Sequence, residues 1–396
     1  MAETADAVVV GGGVIGGCVA YALAREGLRV CLFERESLGS GASGHGHGAI
    51  GLLGKDFKPG PYFELGLAGA RMYPAFVEQV VEDGGIDVLY HELPGLGFAL
   101  VEEEERIYRD CFTWQQQYLD LAWIDVNECR QLEPRLTPHA IGGVLYKHGQ
   151  VDGYRLSLAT AQAVEWRGGR VLLREATGLQ REGNRIVGVT YPGGAVSCES
   201  VVLATGAWVH RARAWLDFPV PVRPLHGEVL HVRLPGEPMR VFVMTARHGP
   251  LLQRRDGILM VGSIGGVSMT GADVDTRHVF DPRDNIPPDF DLEPKAANRD
   301  HMLERAVRVM PAIEEAQLVA HLAGVRPLCA DRMPLIGAVP GLEGVYLATG
   351  HGTKGIHLAP ITGRIVADLI VRGRSDVPVP VAAFSPGRFA YLLHAN

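Results

Sequence analysis

The sequence predicts an α/β (α+β) fold, in which a Rossmann-like domain is joined to a second domain of antiparallel sheet and helices. The first observation is an apolar run at residues 7–10 that leads into a glycine cluster, an apolar helical pattern and a second apolar run at residues 29–33. This order is typical of a strand–helix–strand unit. The second observation is that residues 226–264 alternate short strand-like runs with turns, a pattern typical of an antiparallel sheet.

Composition bounds the class of protein. The chain has 396 residues, of which 47% are apolar and 21% charged, so we expect it to fold throughout as two or three structural units. Its net charge of −7 and the absence of any basic run argue against nucleic acid as a partner. The six cysteines are scattered and form no Cys-x-x-Cys pair, which argues against a disulfide framework, a zinc site or a cysteine-ligated iron–sulfur cluster.

The uncharged stretch at residues 7–24 resembles a signal or membrane segment only superficially. Acidic Glu3 and Asp6 precede it, and five glycines interrupt it. We therefore expect a chain without a membrane span that starts directly in its fold. Together with the scattered cysteines, this predicts a cytoplasmic location.

The remaining elements follow from periodicity and turn residues. We predict mostly helix over 62–132, a helix over 154–166 followed by a strand at 170–173, a strand meander from 186 that ends in the segment 201–208, and a strand at 345–348 before a helix over 358–371. Residues 273–295 are acidic and proline-rich without periodicity, which predicts a long surface loop.

Gly11-x-Gly13-x-x-Gly16 lies between the first strand and the first helix. Glycines at this spacing permit a tight turn, let the backbone approach a pyrophosphate and let helix and strand pack closely. Glu34, at the end of the second strand, is placed to bind ribose hydroxyls and disfavours a 2′-phosphate. The alternative is a purely structural glycine turn.

A second glycine-rich loop precedes the last helix. Gly350, Gly352 and Gly355 let the backbone lie against a planar ligand, and the positive N-terminal end of the helix would stabilise negative charge on that ligand. The alternative is an ordinary strand-to-helix turn.

Arg326 lies in the apolar context Gly324-Val325-Arg326-Pro327. Burying an unpaired guanidinium is costly, so this side chain needs an anion. The anion is either a ligand carboxylate, which a bidentate guanidinium suits, or an internal Asp or Glu.

Four segments together resemble the D-amino-acid oxidase superfamily of FAD enzymes, in particular its glycine oxidase, sarcosine oxidase and D-amino-acid dehydrogenase branch. They are the Gly11 fingerprint, the Ala204-Thr205-Gly206 strand end, the segment from Gly324 to Gly337, and the loop Gly350-His351-Gly352-Thr353-Lys354-Gly355. The resemblance runs through nearly the whole chain in order.

The resemblance implies a discontinuous FAD-binding domain and a substrate-binding domain with the active site between them. The first would comprise residues 1–54, 150–217 and 323–396, and the second residues 55–149 and 218–322. The implied reaction is oxidation of the Cα–N bond of an amino, imino or N-alkyl amino acid, with hydride transfer to flavin N5. The resulting imine would hydrolyse to a 2-oxo acid and an amine.

The resemblance also assigns residues. The expected FAD-binding residues are Gly11, Gly13, Gly16, Glu34, Arg35, Ser43, His45, His47, Gly48, Val171, Thr205, Gly206, Gly350, Gly352, Thr353, Lys354, Gly355 and Ile356. The expected catalytic residues are Arg326, Lys354 and His45. Arg326 and Lys354 would bind the substrate carboxylate, and the presence of both is also what a substrate with two carboxylates would need.

Departures from the family pattern leave three points open. The tyrosine that glycine oxidases place in the central strand is missing, so Tyr62 or His248 is the expected substitute. His45 matches in position a histidine that carries covalent flavin in related dehydrogenases, but no flavin-binding cysteine is present, and non-covalent FAD is expected. A metal site from His45 and His47 lacks further ligands in the loop, so no metal is expected.

The alternatives to an independent amino-acid oxidase are three. The first is the catalytic subunit of a multi-subunit dehydrogenase for opines or hydroxyproline, with a non-oxygen acceptor. The others are a tRNA-modifying flavin domain, which the charge disfavours, and a non-catalytic FAD-binding module. The expected partners are a small amino or imino acid and either a second copy of the chain or another subunit.

Overall fold

The computed structural model describes residues 3–54, 57–264, 290 and 292–393. Most of the loop predicted at residues 273–295 lies outside these ranges. Phe290 is described, and its ring lies 5.2 Å from that of Trp208, centroid to centroid.

The strands and helices are numbered along the chain. The strands are β1 Glu3–Thr4, β2 Ala7–Val10, β3 Val30–Glu34, β4 Ala49–Ile50, β5 His91–Ala99, β6 Ala122–Asp125, β7 Gly142–Gln150, β8 Arg170–Leu173, β9 Gly178–Glu182, β10 Arg185–Tyr191, β11 Gly194–Ser197, β12 Ser200–Leu203, β13 Val222–Arg233, β14 Phe242–Met244, β15 Leu251–Gln253, β16 Ile258–Ile264, β17 Gln317–Cys329, β18 Leu335–Ala338 and β19 Val345–Thr349. The helices are α1 Val14–Arg25, α2 Pro61–Gly84, α3 Glu102–Gln115, α4 Val126–Leu132, α5 Gly153–Trp166, α6 Arg213–Leu216, α7 Ala296–Val309 and α8 Gly355–Arg372.

A six-stranded sheet has the order β18-β19-β12-β2-β3-β8. Its strands are parallel except β18, which runs antiparallel to β19. The strands are short and apolar, and β2 is buried along its whole length, as expected for a sheet covered on both faces. The predicted strand–helix–strand unit is confirmed as β2, α1 and β3.

The six-stranded sheet is the middle of three layers. On one face, Val9 and Leu32 belong to a core with side chains of α1, α2, α5 and α8. On the other face, Val8 and Phe33 pack with Ile186 and other residues of a four-stranded sheet of order β1-β11-β10-β9. Because Cβ atoms alternate along a strand, each strand contributes to both cores.

A nine-stranded sheet forms the second part of the molecule. Its order is β17-β13-β16-β15-β14-β5-β7-β4, with β6 paired to β7. The pairs are antiparallel except β14 with β5. This confirms the antiparallel sheet predicted for 226–264, and α7 packs against it through Met302, Ala306 and Val309.

The mostly helical pattern predicted for residues 62–132 is wrong in part, because β5 and β6 lie within it. β5 contains Pro94 and two glycines, which obscure its alternation in the sequence, and it is ordered by long pairing with β7.

The three ranges predicted for the cofactor domain contribute all six strands of the six-stranded sheet. They also contribute β4 and the end of β17 to the nine-stranded sheet, so the two parts share chain segments at their boundary. Within the described ranges, no helix has both the length and the apolar character needed to cross a membrane.

Candidate active site

A cavity of about 560 Å³ lies between the six-stranded and nine-stranded sheets. Residues at or just past the carboxyl ends of β2, β3, β12 and β19 form one wall, as is typical of ligand sites in open parallel sheets. The opposite wall includes residues of β17 and the segment that follows β14.

The first glycine loop is shaped by close backbone contacts. Gly11 has φ +114°, and a Cβ atom there would lie 2.4 Å from the Ala204 carbonyl oxygen. A Cβ atom at Gly16 would lie 1.8 Å from the Gly11 carbonyl oxygen, so Gly16 serves helix–strand packing and does not line the cavity. Gly13 does line it, and its Cβ position is crowded only by Ser43 Oγ at 3.0 Å.

The N-terminus of α1 therefore faces the cavity. Its first turn carries no acidic residue, and the Val14 N–H donates to Ser43 Oγ at 3.0 Å. The positive end of the helix dipole and the backbone N–H groups make this a site for an anion such as a pyrophosphate.

Glu34 is fixed at the cavity wall by two backbone donors. The Gly12 N–H donates to Oε2 at 2.8 Å, and the Glu36 N–H donates to Oε1 at 2.9 Å. Each oxygen keeps a lone pair for a further donor, which suits the expected role toward ribose hydroxyls.

The end of the cavity near Glu34 is lined by one further residue that the sequence predicted and by several that it did not. Arg35, a predicted residue, lies over the Trp208 ring at 5.0 Å from its centroid. The other lining residues here are Trp215, Arg174, Glu175, Ala176 and Arg211. Val171 was expected in this region, but it packs against the helix-side core and does not line the cavity.

The second glycine loop forms the opposite end. Gly352, Thr353, Lys354, Gly355 and Ile356 line the cavity, whereas Gly350 does not. The first turn of α8 has no acidic residue and no side-chain cap, so a second positive helix end faces the same cavity.

The loop at residues 46–49 meets this end of the cavity. A Cβ atom at Gly46 would lie 2.8 Å from the Ile356 Cδ1 atom. Gly48 has φ +71°, and its Cβ would lie 1.7 Å from the Val151 carbonyl oxygen, so only glycine fits there. Desolvation lowers the pKa of His47 to about 3, and Arg326 and His231 act in the same direction.

Four lining residues hold a buried polar atom that has no hydrogen-bond partner within the described part of the chain. They are His47 (Nε2), Thr205 (Oγ1), Trp208 (Nε1) and His351 (Nδ1). Gly206 also lines the cavity beside Thr205. With the two helix ends and Glu34, this lining fits an elongated polar ligand carrying a pyrophosphate, a ribose and a planar ring.

Arg326 lines the cavity at the end nearest the second glycine loop. Its guanidinium lies against Gly227 of β13, where a Cβ atom would meet Nη1 at 2.2 Å. The absence of a side chain at Gly227 thus makes room for the guanidinium. The Nζ atom of Lys354 lies 5.2 Å from the Phe57 ring centroid, a cation–π contact at the same end of the cavity.

His45 does not line the cavity. Its Nδ1 lies 2.7 Å from the Gly41 carbonyl oxygen, and its Cβ packs against Gly324, where an added Cβ would lie at 2.9 Å. The structure therefore places His45 in loop and strand packing, and the catalytic and covalent-attachment roles considered for it have no geometric support.

Tyr62 and His248 also lie outside the cavity lining. Tyr62 packs on Phe57 at 5.0 Å between ring centroids, and His248 Nδ1 lies 3.4 Å from Glu104 Oε1. Neighbours of His248 line the cavity instead, together with two residues of α7. These lining residues are Met244, Thr245, Ala246, Gly249, Pro250, His301 and Arg305.

Four buried histidines at or near this site, His47 among them, make the stability of the protein depend on pH. Burial lowers the pKa of His148 and of His351 to about 3 and that of His357 to about 4. Below pH 6.5 the unfolded chain takes up protons that the folded protein does not accept until near pH 3 to 4. Stability is thus complete above pH 6.5 and falls below it, by about 1.4 kcal/mol per histidine for each pH unit.

Urea denaturation between pH 7 and 5 measures this loss. His148 lies outside the cavity lining, and its Nδ1 is 3.0 Å from the Tyr146 hydroxyl. Unfolding of His148→Gln takes up about one proton fewer than unfolding of the wild type. Its unfolding free energy is therefore expected to fall less steeply, by about 1.4 kcal/mol per pH unit. An unfolding free energy that is the same at pH 7 and pH 5 would contradict the assignment.

The fold and the cavity define a dinucleotide-binding protein. Comparison with known proteins identifies the family. Residues 6–369 match the model of the DAO family, described as FAD dependent oxidoreductase. The chain belongs to this family and is an FAD-dependent enzyme that oxidises amines.

Relatives match along the whole chain. A glycine oxidase of Geobacillus kaustophilus is 32% identical over 389 residues, which cover 97% of each chain. Its crystal structure aligns with a TM-score of 0.85 over 97% of this chain and 98% of that one. The hydrogen cyanide synthase subunit HcnC of Pseudomonas aeruginosa is 28% identical, covering 98% of this chain and 97% of the relative.

We expect FAD to be held without a covalent bond. The only histidine considered for attachment, His45, does not line the cavity. Acid precipitation of the purified protein should leave a colourless pellet and a yellow supernatant, for wild type and for His45→Ala alike. A yellow wild-type pellet that becomes colourless in His45→Ala would show that the side chain carries the flavin.

Proposed function

We propose that the protein oxidises the Cα–N bond of an amino acid, an imino acid or an N-alkyl amino acid to an imine, which water converts to a 2-oxo acid and ammonia or an amine. The observation that carries the proposal is the position of Arg326, whose guanidinium lines the same cavity as the N-terminus of α8. A carboxylate bound there would place Cα beside the loop expected to support the flavin ring.

FAD is expected along the whole cavity. The α1 N-terminus and Gly13 would bind the pyrophosphate, Glu34 the ribose, and residues 353–356 the ring. Bound FAD supplies the acceptor for the hydride that leaves Cα.

The residues of the chain bind and orient the substrate. Arg326 holds the carboxylate through a bidentate guanidinium, and Lys354 adds a second positive charge at the same end. A fixed carboxylate restricts the orientations of the Cα–H bond. Such orientation is a major part of catalysis when the protein forms no covalent bond with the substrate.

No strong base is required from the protein. Among the described lining residues, the only carboxylates are those of Glu34, Glu36 and Glu175, which belong to the end of the cavity away from Arg326. We expect the substrate to react as the neutral amine, whose lone pair forms the C=N bond as hydride leaves.

Product analysis tests the proposal. The holoenzyme is incubated with D-, L-, N-methyl and cyclic amino acids, and 2-oxo acid and released ammonia or amine are measured. We expect equal amounts of the two products from at least one acyclic member of the panel, or, from a cyclic member, a 2-oxo acid that retains the amino group. Absence of both products from every member, with oxygen and with an artificial electron acceptor, would contradict it.

A second candidate is a catalytic subunit of a multi-subunit dehydrogenase. The 28% identical relative that is named as a synthase subunit favours it. Turnover with an artificial acceptor but not with oxygen, together with a co-purifying second polypeptide, would favour this arrangement over an independent oxidase.

A further inference from the structure

Arg305 lies in the middle of α7 and lines the cavity. The apolar face of α7 packs Met302 and Ala306 against the nine-stranded sheet. His301 and Arg305, one helical turn apart, flank that face and reach the cavity.

Within the described part of the chain, no hydrogen bond or ion pair is formed by the half-buried Arg305 side chain. Desolvation lowers the pKa of Arg305, and only the more distant Glu104 opposes this shift. A guanidinium that is partly withdrawn from water and lacks a contacting anion is unfavourable, so the site is suited to an incoming anionic group.

Glu104 does not fill that role, because its carboxylate is already bound. The Leu100 N–H donates to Oε2 at 2.9 Å, and the Arg247 N–H donates to Oε1 at 3.0 Å. His248 Nδ1 lies 3.4 Å from the same Oε1. Glu104 thereby fixes the segment of the cavity wall that includes Thr245 and Pro250.

Arg305 is held on the same framework as Arg326. The buried Glu228 carboxylate accepts from the Lys295 N–H at 3.2 Å and from Asn298 Nδ2 at 2.5 Å, which fixes the start of α7. His321 Nε2, 2.7 Å from the same carboxylate, belongs to β17, the strand that carries Arg326. The helix that carries Arg305 and the strand that carries Arg326 are therefore joined through one carboxylate.

We propose that Arg305 binds a second anionic group of the substrate, so that the preferred substrate is an amino acid or N-substituted amino acid with two carboxylates. This rests on the proposed function, in which Arg326 binds the α-carboxylate. Arg305 would then select for the carboxylate on the side chain or on the N-substituent, because the cost of its desolvation is offset only when that group is present.

Matched pairs of substrates test the selection. The holoenzyme is assayed with aspartate against asparagine and glutamate against glutamine, in both enantiomers, and with iminodiacetate against sarcosine. We expect kcat/KM for the dicarboxylate of the best pair to exceed that of its partner at least tenfold, mainly through KM. Arg305→Met should reduce this ratio by about tenfold or more, and Arg305→Lys should restore part of it.

Arg308→Met is the matched control. Arg308 lies on the same helix, is exposed, and pairs with Glu304 at 2.6 Å outside the cavity lining. This variant should keep the wild-type ratio. A wild-type ratio near one, or an equal loss for both members of each pair in Arg305→Met, would overturn the proposal and leave the oxidation of amino acids standing.

A binding measurement separates this proposal from the proposed function. Succinate and butyrate are titrated into the holoenzyme while the flavin absorption spectrum is recorded, with no turnover. Tighter binding of succinate that is lost in Arg305→Met supports the anion site even if no amino acid is oxidised. Equal binding of the two acids to the wild type would overturn it.

Discussion

Arg326→Ala is expected to lower kcat/KM on the best amino-acid substrate by about a hundredfold or more while FAD stays bound. The guanidinium lies in the cavity against Gly227, where the substrate carboxylate would be largely withdrawn from water. Removing one partner of such a pair costs about 3–5 kcal/mol, and each 1.4 kcal/mol is a tenfold change. Steady-state kinetics with the flavin content measured in parallel checks both parts.

The loss should depend on guanidinium geometry. Arg326→Lys should recover only part of the activity, because a single ammonium cannot form the bidentate pair. Arg374→Ala, which removes an arginine side chain that is 81% exposed, is the control and should leave kcat/KM unchanged. Near-normal kcat/KM in Arg326→Ala would contradict this role of Arg326 and would assign binding of the substrate carboxylate to Lys354.

Gly13→Leu is expected to abolish FAD binding in a protein that still folds. The Cβ position at Gly13 is crowded only by Ser43 Oγ, so the fold can accept a side chain there. That side chain would occupy the space beside the α1 N-terminus where the pyrophosphate is expected. The purified variant should be colourless and should show a normal circular dichroism spectrum.

Gly387→Leu is the matched control for this substitution. Gly387 is exposed and lies outside the cavity lining, so this variant should remain yellow. A Gly13→Leu protein with a full complement of FAD would show that the cofactor does not approach this loop.

The cofactor end of the site was largely predictable, because its residues are local in sequence. Gly11, Gly13 and Glu34 fall within one strand–helix–strand unit, and their spacing alone places them at one sheet edge. Glycines at positions where the backbone closely approaches a ligand or another segment can be recognised from their spacing in the sequence, without knowledge of tertiary contacts.

The substrate end was less predictable, because it is assembled by long-range packing. Arg305 reaches the cavity from α7, which packs on the nine-stranded sheet and is joined to β17 through Glu228. Periodicity could have placed Arg305 beside the apolar face of its helix, but not what that helix packs against. Tyr62 and His248 lie outside the lining for the same reason, and Thr245 and Pro250, close to His248 in sequence, line the wall.

The elements of the fold likewise divide into those predictable from local sequence and those set by long-range pairing. The βαβ unit follows from its apolar runs, whereas β5 was missed because proline and glycine mask its pattern and pairing with β7 orders it.

Anaerobic titration of the holoenzyme with amino acids tests the central claim most directly. We expect the flavin absorbance of the wild type to bleach with at least one amino acid of the D-, L-, N-methyl and cyclic panel, and Arg326→Ala to bleach far more slowly with the same compound. A wild-type flavin that dithionite reduces but no amino acid in the panel bleaches would contradict the account.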